Sequence, residues 1–163
     1  MAEDLGSLDM INLGFGGSTL LSAMYHMDRL LLPLNPVKIV LYFGENDIAN
    51  DGLTAASTFT HFLALREEIA KWLPEVHVFA MSVKHSPARW SFADEVDRYN
   101  GLRAGWCNAR TDTTWIGAGA GLIGENGRPT SHYFLPDLIH MATVAMLSGR
   151  KHCESPPDCS DRP

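Results

Sequence analysis

The sequence feature that most constrains the fold is an unbroken apolar run, Ile39 to Phe43, which leads directly into a glycine turn. Apolar, β-branched and aromatic residues in one run are typical of a strand that is covered on both faces of a parallel sheet. Gly44 ends the run, and Glu45, Asn46 and Asp47 follow it. Open α/β sheets collect their ligands at the carboxyl ends of central strands, so we expect a functional site at this turn.

Two interpretations of this turn are open. An amide such as that of Asn46, placed at the end of a strand, can aim an N–H donor at a developing negative charge. Alternatively, Asn46 and Asp47 bond only their own backbone, as Asn and Asp do in many turns.

Strand and helix patterns alternate along the rest of the chain. Strands are expected at residues 9–13, 76–83 and 113–116, and helices at residues 20–32, 54–72 and 91–110. Alternation of this kind predicts a parallel sheet with helices on both faces, joined by right-handed crossovers. In the last helix we expect Phe92, Val96, Tyr99 and Leu102 to face the core.

Charge and cysteine content limit the partners and cofactors that we expect. The chain has 13 basic and 19 acidic residues, a net charge of −6, and no basic stripe, which argues against nucleic acid as a partner. No secretory signal and no apolar run of membrane-spanning length is visible.

The odd set Cys107, Cys153 and Cys159 argues against a disulfide framework and suits a reducing compartment. His152, Cys153 and Cys159 cluster as soft ligands, but paired close Cys spacings are absent, so we expect no metal and no cofactor.

Two further motifs bear on chemistry. Residues 14–19 form a glycine-rich turn that opens a helix and offers free N–H groups to an anion, although its spacing fits neither a dinucleotide fingerprint nor a P-loop. Asp137 lies three residues before His140, so it can accept the ring Nδ1–H and leave Nε2 free to take a proton from a hydroxyl. The alternative is that this Asp and His are purely structural.

Together these motifs resemble those of the SGNH, or GDSL-type, serine hydrolases. Residues 12–19 resemble the second block of that family, residues 44–47 the third and residues 137–140 the fifth. The resemblance runs from Met1 to about Met141 and includes the loop of residues 82–90 and Asn100. It implies one domain over residues 1–141, with a three-layer α/β/α fold around a parallel, flavodoxin-like sheet.

The resemblance also implies a role for four residues. The Gly17 N–H and the Asn46 side chain would form the oxyanion hole, His140 would be the general base and Asp137 would orient it. The implied reaction is hydrolysis of a small-molecule acyl ester through an acyl-enzyme, without a cofactor.

One departure from the family affects the nucleophile. The first block of the family, a strand that ends in Gly-Asp-Ser or a variant, lies upstream of the glycine turn and has no counterpart here. Ser7 is too close to the next strand, with only Leu8 between them, and Ser18 is better explained as a helix cap. We therefore expect that the first, central strand is missing, that the chain is inactive, and that Met1 is an internal methionine of a longer enzyme.

The end of the chain departs as well. Residues 142–163 form an atypical tail in place of the final helix that the family carries. Codons can be chosen so that one nucleotide restored after Met141 yields the expected Asn-Gly-Gly-Tyr text, which is compatible with a frameshift. In that case the His and Cys residues of the tail have no selected role.

Two other functions fit the same sequence. The chain could be a non-catalytic module that binds an ester or a carbohydrate with Gly17, Asn46 and His140. It could also be a purely structural flavodoxin-like domain, in which Asp137 and His140 only cap a loop.

Overall fold

The computed structural model describes residues 10–142, and all elements named here lie in that range. Its α-helices are α1 (Leu20–Leu30), α2 (Glu45–Ala49), α3 (Ala55–Trp72) and α4 (Ala93–Asn108). Its strands are β1 (Lys38–Leu41), β2 (His77–Met81) and β3 (Thr113–Ile116). Short 3-10 turns lie at Leu32–Leu34, Pro87–Phe92, Ala120–Leu122 and Ser131–Tyr133. None of the helices in this range is long and apolar enough to cross a membrane.

The three strands form one parallel sheet in the order β1, β2, β3. In its register Val40 lies beside Phe79, and Phe79 beside Thr114. Because the strands are parallel, their carboxyl ends lie at one edge, where the loops that follow them meet. The predicted α/β class with a parallel sheet is confirmed.

Side-chain caps explain where the two long amino-terminal helices begin. Thr19 caps α1: its Oγ1 accepts from the Ser22 N–H at 3.3 Å, and Ser22 Oγ accepts from the Thr19 N–H at 2.8 Å. The sequence had suggested Ser18 as the cap of α1. The cap is instead the next residue, Thr19. Thr54 caps α3 in a similar way, accepting from Ser57 N–H at 3.2 Å. Such caps satisfy N–H groups that a helix leaves unpaired.

One face of the sheet forms the core with the helices. Ile39, Leu41, Val78 and Ala80 point to this face and are buried. They belong to one apolar cluster with residues of α1, α3 and α4, among them Leu20, Phe62, Ile69 and Tyr99. Helix α3 packs against both α1 and α4, so the helices form one layer.

The opposite face of the sheet is partly open among the described residues. Val40 is 54% exposed, and Phe79 and Met81 are only half-buried. The expectation that β1 is covered on both faces is therefore wrong, because the described helices cover one face only. The second helical layer of the expected three-layer fold is not found in residues 10–142.

The predicted strand at residues 9–13 is not formed in its described part, residues 10–13. Met10 and Ile11 are exposed, and β1 has β2 as its only partner in the described sheet. A strand persists only where a neighbouring strand takes up its N–H and C=O groups. Residues 10–13 have no such neighbour within the described part of the chain.

Helix α4 buries a different stripe from the one expected. Val96 and Tyr99 are buried as predicted, but Leu102 is 42% exposed, and Arg103 takes the core position beside it. Positions 96, 99, 103 and 107 follow a spacing of three or four residues, which is the helical period, and position 102 falls outside that stripe.

Candidate active site at the carboxyl edge of the sheet

A glycine in the left-handed region makes the turn after β1. Gly44 has φ +115° and is the N-cap of α2, so the chain passes from the end of β1 into a helix at this residue. The next residues, Glu45 to Asp47, lie in the first turn of α2 at the carboxyl edge of the sheet. Glycine adopts this φ without the steric cost that a Cβ imposes.

The Asn46 side chain reaches across to the glycine-rich turn. Its Nδ2 donates to the Ser18 carbonyl at 2.9 Å, and its Oδ1 accepts from Arg89 Nη1 at 3.1 Å and from Asn50 Nδ2 at 3.2 Å. The carboxamide nitrogen has two donor hydrogens, so one remains for a ligand after the bond to Ser18. The side chain thus bonds groups remote in sequence, not only its own backbone.

The neighbouring Asp47 fixes the start of α1. Its Oδ1 accepts from the Leu20 N–H at 3.0 Å, and the side chain is fully buried. Burial raises the pKa of Asp47, although the hydrogen bond from Leu20 opposes that change. Since Asn46 and Asp47 bond Ser18 and Leu20, α2 holds the glycine-rich turn against the end of β1.

Gly17 lies in that turn with φ +74°, next to the carbonyl that Asn46 contacts. Its N–H donates to no group among the described residues. The Asn46 amide is thus hydrogen-bonded to the residue that directly follows Gly17. Ser18 contributes its carbonyl to this contact.

Asp137 and His140 form a pair in the loop after the last 3-10 turn. His140 Nδ1 lies 2.6 Å from Asp137 Oδ2, and the N–H groups of Ile139 and His140 donate to Asp137 Oδ1 at 2.9 and 3.0 Å. The hydrogen bond from His140, together with the two N–H bonds, lowers the pKa of Asp137 to about 2. The His140 side chain is 70% exposed. Leu138, between them, has φ +57°, a left-handed conformation that costs energy for any residue other than glycine.

The turn of residues 86–89 connects this loop to Asn46. The Ala88 N–H donates to the Leu138 carbonyl at 3.2 Å, and Arg89 donates to Asn46 Oδ1. All four residues expected at the site, Gly17, Asn46, Asp137 and His140, thus belong to segments joined by hydrogen bonds at the same edge of the sheet.

A charged cluster beneath Asn46 was missed by the sequence analysis. Glu45 accepts from the Tyr42 hydroxyl at 2.7 Å and from Lys84 Nζ at 2.7 Å, and its Oε1 lies 3.2 Å from Arg89 Nη1. The side chains of Glu45 and Lys84 are each 11% exposed. The sequence signal that could have indicated this cluster is the pair of basic residues after β2, Lys84 and Arg89.

Arg103 is a second residue that the sequence analysis missed. It is fully buried and donates to the carbonyls of Phe43 and Met81, at 3.2 and 2.8 Å, which follow or end strands β1 and β2. Its guanidinium also lies over the rings of Tyr99 and Trp115, at 4.9 and 5.3 Å. Burial lowers the pKa of Arg103. Arg103 thus links the backbone at the carboxyl ends of β1 and β2, from which the loops of the site begin.

A small cavity of 240 Å³ adjoins the site between the loops after β2 and β3. His85 lines it and hydrogen-bonds Asp97 through Nε2 at 2.9 Å. Asn100, which the family resemblance includes, holds both the N–H and the carbonyl of Val83 at 2.9 and 2.8 Å. Asn100 therefore shapes the loop after β2.

Some expected residues lie outside the described part of the chain. Ser7 and the tail residues His152, Cys153 and Cys159 fall outside residues 10–142. Within residues 10–142, no group of three or more His, Cys, Asp or Glu side chains is arranged to hold a metal ion.

Comparison with solved structures identifies the fold. A candidate platelet activating factor from Streptococcus pneumonia superposes with a TM-score of 0.76 at 17% identity, over 93% of this chain and 76% of the other. A candidate acylhydrolase from Bacteroides fragilis gives 0.74 at 15% identity, over 93% and 75%. A GDSL-like lipase from Bacteroides thetaiotaomicron gives 0.68 at 19% identity, over 93% and 76%.

The chain has the SGNH hydrolase fold. No family model and no curated protein matches its sequence. The fold is therefore assigned from the similarity in three dimensions and from the parallel α/β topology.

Proposed function

We propose that this chain carries the general base and the oxyanion hole of an SGNH-type hydrolase that acts on carboxylic esters. The observation that supports this proposal most directly is the contact between Asn46 Nδ2 and the Ser18 carbonyl at 2.9 Å. This contact joins the Asn46 side chain to the residue that follows Gly17, so we propose that the second Asn46 N–H and the Gly17 N–H act together as oxyanion donors. Donors fixed in advance stabilise the negative charge that develops on a carbonyl oxygen during acyl transfer.

The proposed reaction follows from the roles of these groups. His140 Nε2 takes the proton from a serine hydroxyl as the serine oxygen attacks the ester carbonyl, and Asp137 stabilises the imidazolium through Nδ1. Asn46 and Gly17 hold the resulting oxyanion. Collapse of the tetrahedral intermediate releases the alcohol with the proton from His140, and water then hydrolyses the acyl-enzyme in the same way.

We further propose that this 163-residue chain is inactive because it supplies no nucleophile. Ser18 directly precedes Thr19, the cap of α1, and Ser7 has no Gly-x-Ser sequence of the family's first block around it. The nucleophile would come from a Gly-x-Ser strand encoded upstream of Met1.

Labelling with a fluorophosphonate probe tests this proposal, because only an activated serine reacts. The 163-residue chain should remain unlabelled and should not hydrolyse p-nitrophenyl acetate. The chain extended by its upstream coding sequence should be labelled, and His140→Ala in that protein should abolish labelling. A stop codon upstream without a Gly-x-Ser strand in frame, or an unlabelled extended protein that is folded, would overturn the proposal.

A non-catalytic binding module is the second candidate, favoured by the fact that the Asn46 amide is held in place by Ser18, Arg89 and Asn50 without any nucleophile. This candidate is tested by adding acetate to the 15N-labelled 163-residue chain and following the amide chemical shifts, with Asn46→Ala as the control. Acetate shifts centred on residues 17–20 and 46, together with an extended protein that does not label, would favour the binder. If the extended protein does not label and acetate does not bind, the purely structural domain is favoured.

A further inference from the structure

The carboxamide of Asn46 has two orientations, related by a half-turn about its Cβ–Cγ bond. Only one of them directs the nitrogen towards the glycine-rich turn. In the structure the nitrogen faces the Ser18 carbonyl at 2.9 Å, and the oxygen lies between Arg89 Nη1 at 3.1 Å and Asn50 Nδ2 at 3.2 Å. An oxyanion donor is useful only in this orientation, so the groups that select it matter to the site.

The two neighbours of the Asn46 oxygen differ in what they can accept. The amide of Asn50 can itself rotate and present an oxygen, so it tolerates either orientation of Asn46. A guanidinium has donors only, so Arg89 cannot accept a hydrogen bond from a rotated Asn46 amide. If the Asn46 amide were rotated, its N–H groups would face the donors of Arg89 and its oxygen would face the Ser18 carbonyl oxygen. Both contacts are unfavourable, so Arg89 and Ser18 favour the same orientation.

Arg89 is itself fixed in position. Its Nη2 donates to Asn50 Oδ1 at 3.0 Å, and its Nη1 lies 3.2 Å from Glu45 Oε1. Glu45 is held in turn by Tyr42 and Lys84, and the Arg89 side chain is only 16% exposed. A charge-assisted network of this kind restricts the guanidinium to one place.

The backbone beside Arg89 contacts the loop that carries His140. The Ala88 N–H donates to the Leu138 carbonyl at 3.2 Å. One short turn therefore contacts both the amide proposed as an oxyanion donor and the loop proposed to carry the base.

We propose that Arg89 is a positioning residue, which fixes the Asn46 carboxamide with its nitrogen towards the glycine-rich turn. This inference rests on the proposed function for its catalytic meaning, since Asn46 is an oxyanion donor only under that proposal. The contact itself can be tested in the chain as it stands.

Hydrogen exchange of the Asn46 side-chain amide is the measurement. The 163-residue chain is labelled with 15N, and the Asn46 amide pair is assigned by its loss in Asn46→Ser. In Arg89→Gln we expect the pair to exchange with water about tenfold faster, the factor that corresponds to the loss of one charge-assisted hydrogen bond. Arg89→Lys keeps a charged donor group without an acceptor, so its Asn46 exchange should fall between that of the unmodified chain and that of Arg89→Gln.

A matched control is Arg98→Gln, because Arg98 is 68% exposed and pairs with Glu95 on α4, away from Asn46. This change removes the same charge and should leave Asn46 exchange unchanged. A general loss of stability would speed exchange throughout the chain, whereas the expected effect is confined to the Asn46 amide. Unchanged exchange in Arg89→Gln would overturn the inference.

If Arg89→Gln does not fold, Glu45→Gln provides the test. In that variant Arg89 loses the carboxylate charge 3.2 Å from its Nη1, while the hydrogen bonds of the Asn46 side chain to Ser18 and Asn50 are left in place. Faster Asn46 exchange therefore supports the inference, and unchanged exchange overturns it. Acetate titration of the unmodified chain separates the two proposals. Failure of acetate to bind counts against the proposed site, while unchanged Asn46 exchange counts only against Arg89.

Discussion

The ring of Tyr99 lies against Gly44, in the space that a side chain at position 44 would fill. An ideal Cβ built there would lie 2.9 Å from Tyr99 Cζ and closer still to Cε1. Gly44 also has φ +115°, which disfavours any side chain. The turn that presents Asn46 is thus held by the glycine at the N-cap of α2 and by a buried aromatic ring on α4.

Replacing this glycine should destabilise the domain. We expect Gly44→Ala to lower the free energy of unfolding by at least about 2 kcal/mol, from backbone strain together with overlap with Tyr99. Urea unfolding followed by circular dichroism measures the change. Gly52→Ala is the control, because Gly52 has φ +68° but no atom near its Cβ position, so it reports strain alone. Equal losses in the two variants would show that the Tyr99 contact is unimportant.

The hydrogen bond between Asp137 and His140 should be visible in the titration of Asp137. The pKa of Asp137 is lowered to about 2, chiefly by the hydrogen bond from His140. We expect His140→Ala to raise the pKa of Asp137 towards its ordinary value of 3.8, as measured by carboxyl 13C chemical shifts. Asp112, whose pKa is also about 2 but depends first on Arg110, should not change. An unaltered Asp137 titration would contradict the pairing.

Removal of the buried Arg103 should weaken the junction of the two strands. Arg103→Met leaves the Phe43 and Met81 carbonyls without their donor, which costs more than is recovered by removing a buried cation. We expect a loss of at least about 1 kcal/mol in urea unfolding. Arg103→Lys should retain part of the stability, since its ammonium group can still donate to a carbonyl, although it lacks the planar fork that reaches both. A Met variant as stable as the unmodified chain would contradict this role.

Asp112 should make part of the stability depend on pH. Hydrogen bonds from Arg110, with Arg66 at 3.0 Å, lower its pKa to about 2 from 3.8, so its contribution is present above about pH 4 and lost as pH falls towards 2. Since the side chain is 35% exposed, we expect Asp112→Asn to cost only about 1 kcal/mol at pH 6. The difference from the unmodified chain should shrink at pH 3 in urea unfolding.

The control for this pH dependence is Glu125→Gln, because Glu125 is exposed. This variant should follow the unmodified chain at both pH values. A difference between Asp112→Asn and the unmodified chain that grows as pH falls would contradict the assignment to Asp112.

Local pattern predicted most of the elements. The strand expected at residues 113–116 is β3, and the helix expected at residues 54–72 is α3 with Thr54 as its cap. These features depend on side-chain periodicity and on cap and turn residues, which act within a few positions of the chain. The expected strand at residues 9–13 was wrong in its described part, because a strand depends on a partner that local pattern does not reveal.

By itself the sequence determined the alternation of strands and helices, the glycine turns and the close Asp137 and His140 pair, since each is decided by neighbouring residues. Tertiary structure alone decided which face of β1 is covered, and that Arg103 lies buried below strand ends. It also brought Arg89 to the oxygen of Asn46 across 43 positions of chain. Such contacts depend on how whole elements pack, and the spacing of residues along a chain does not specify that packing.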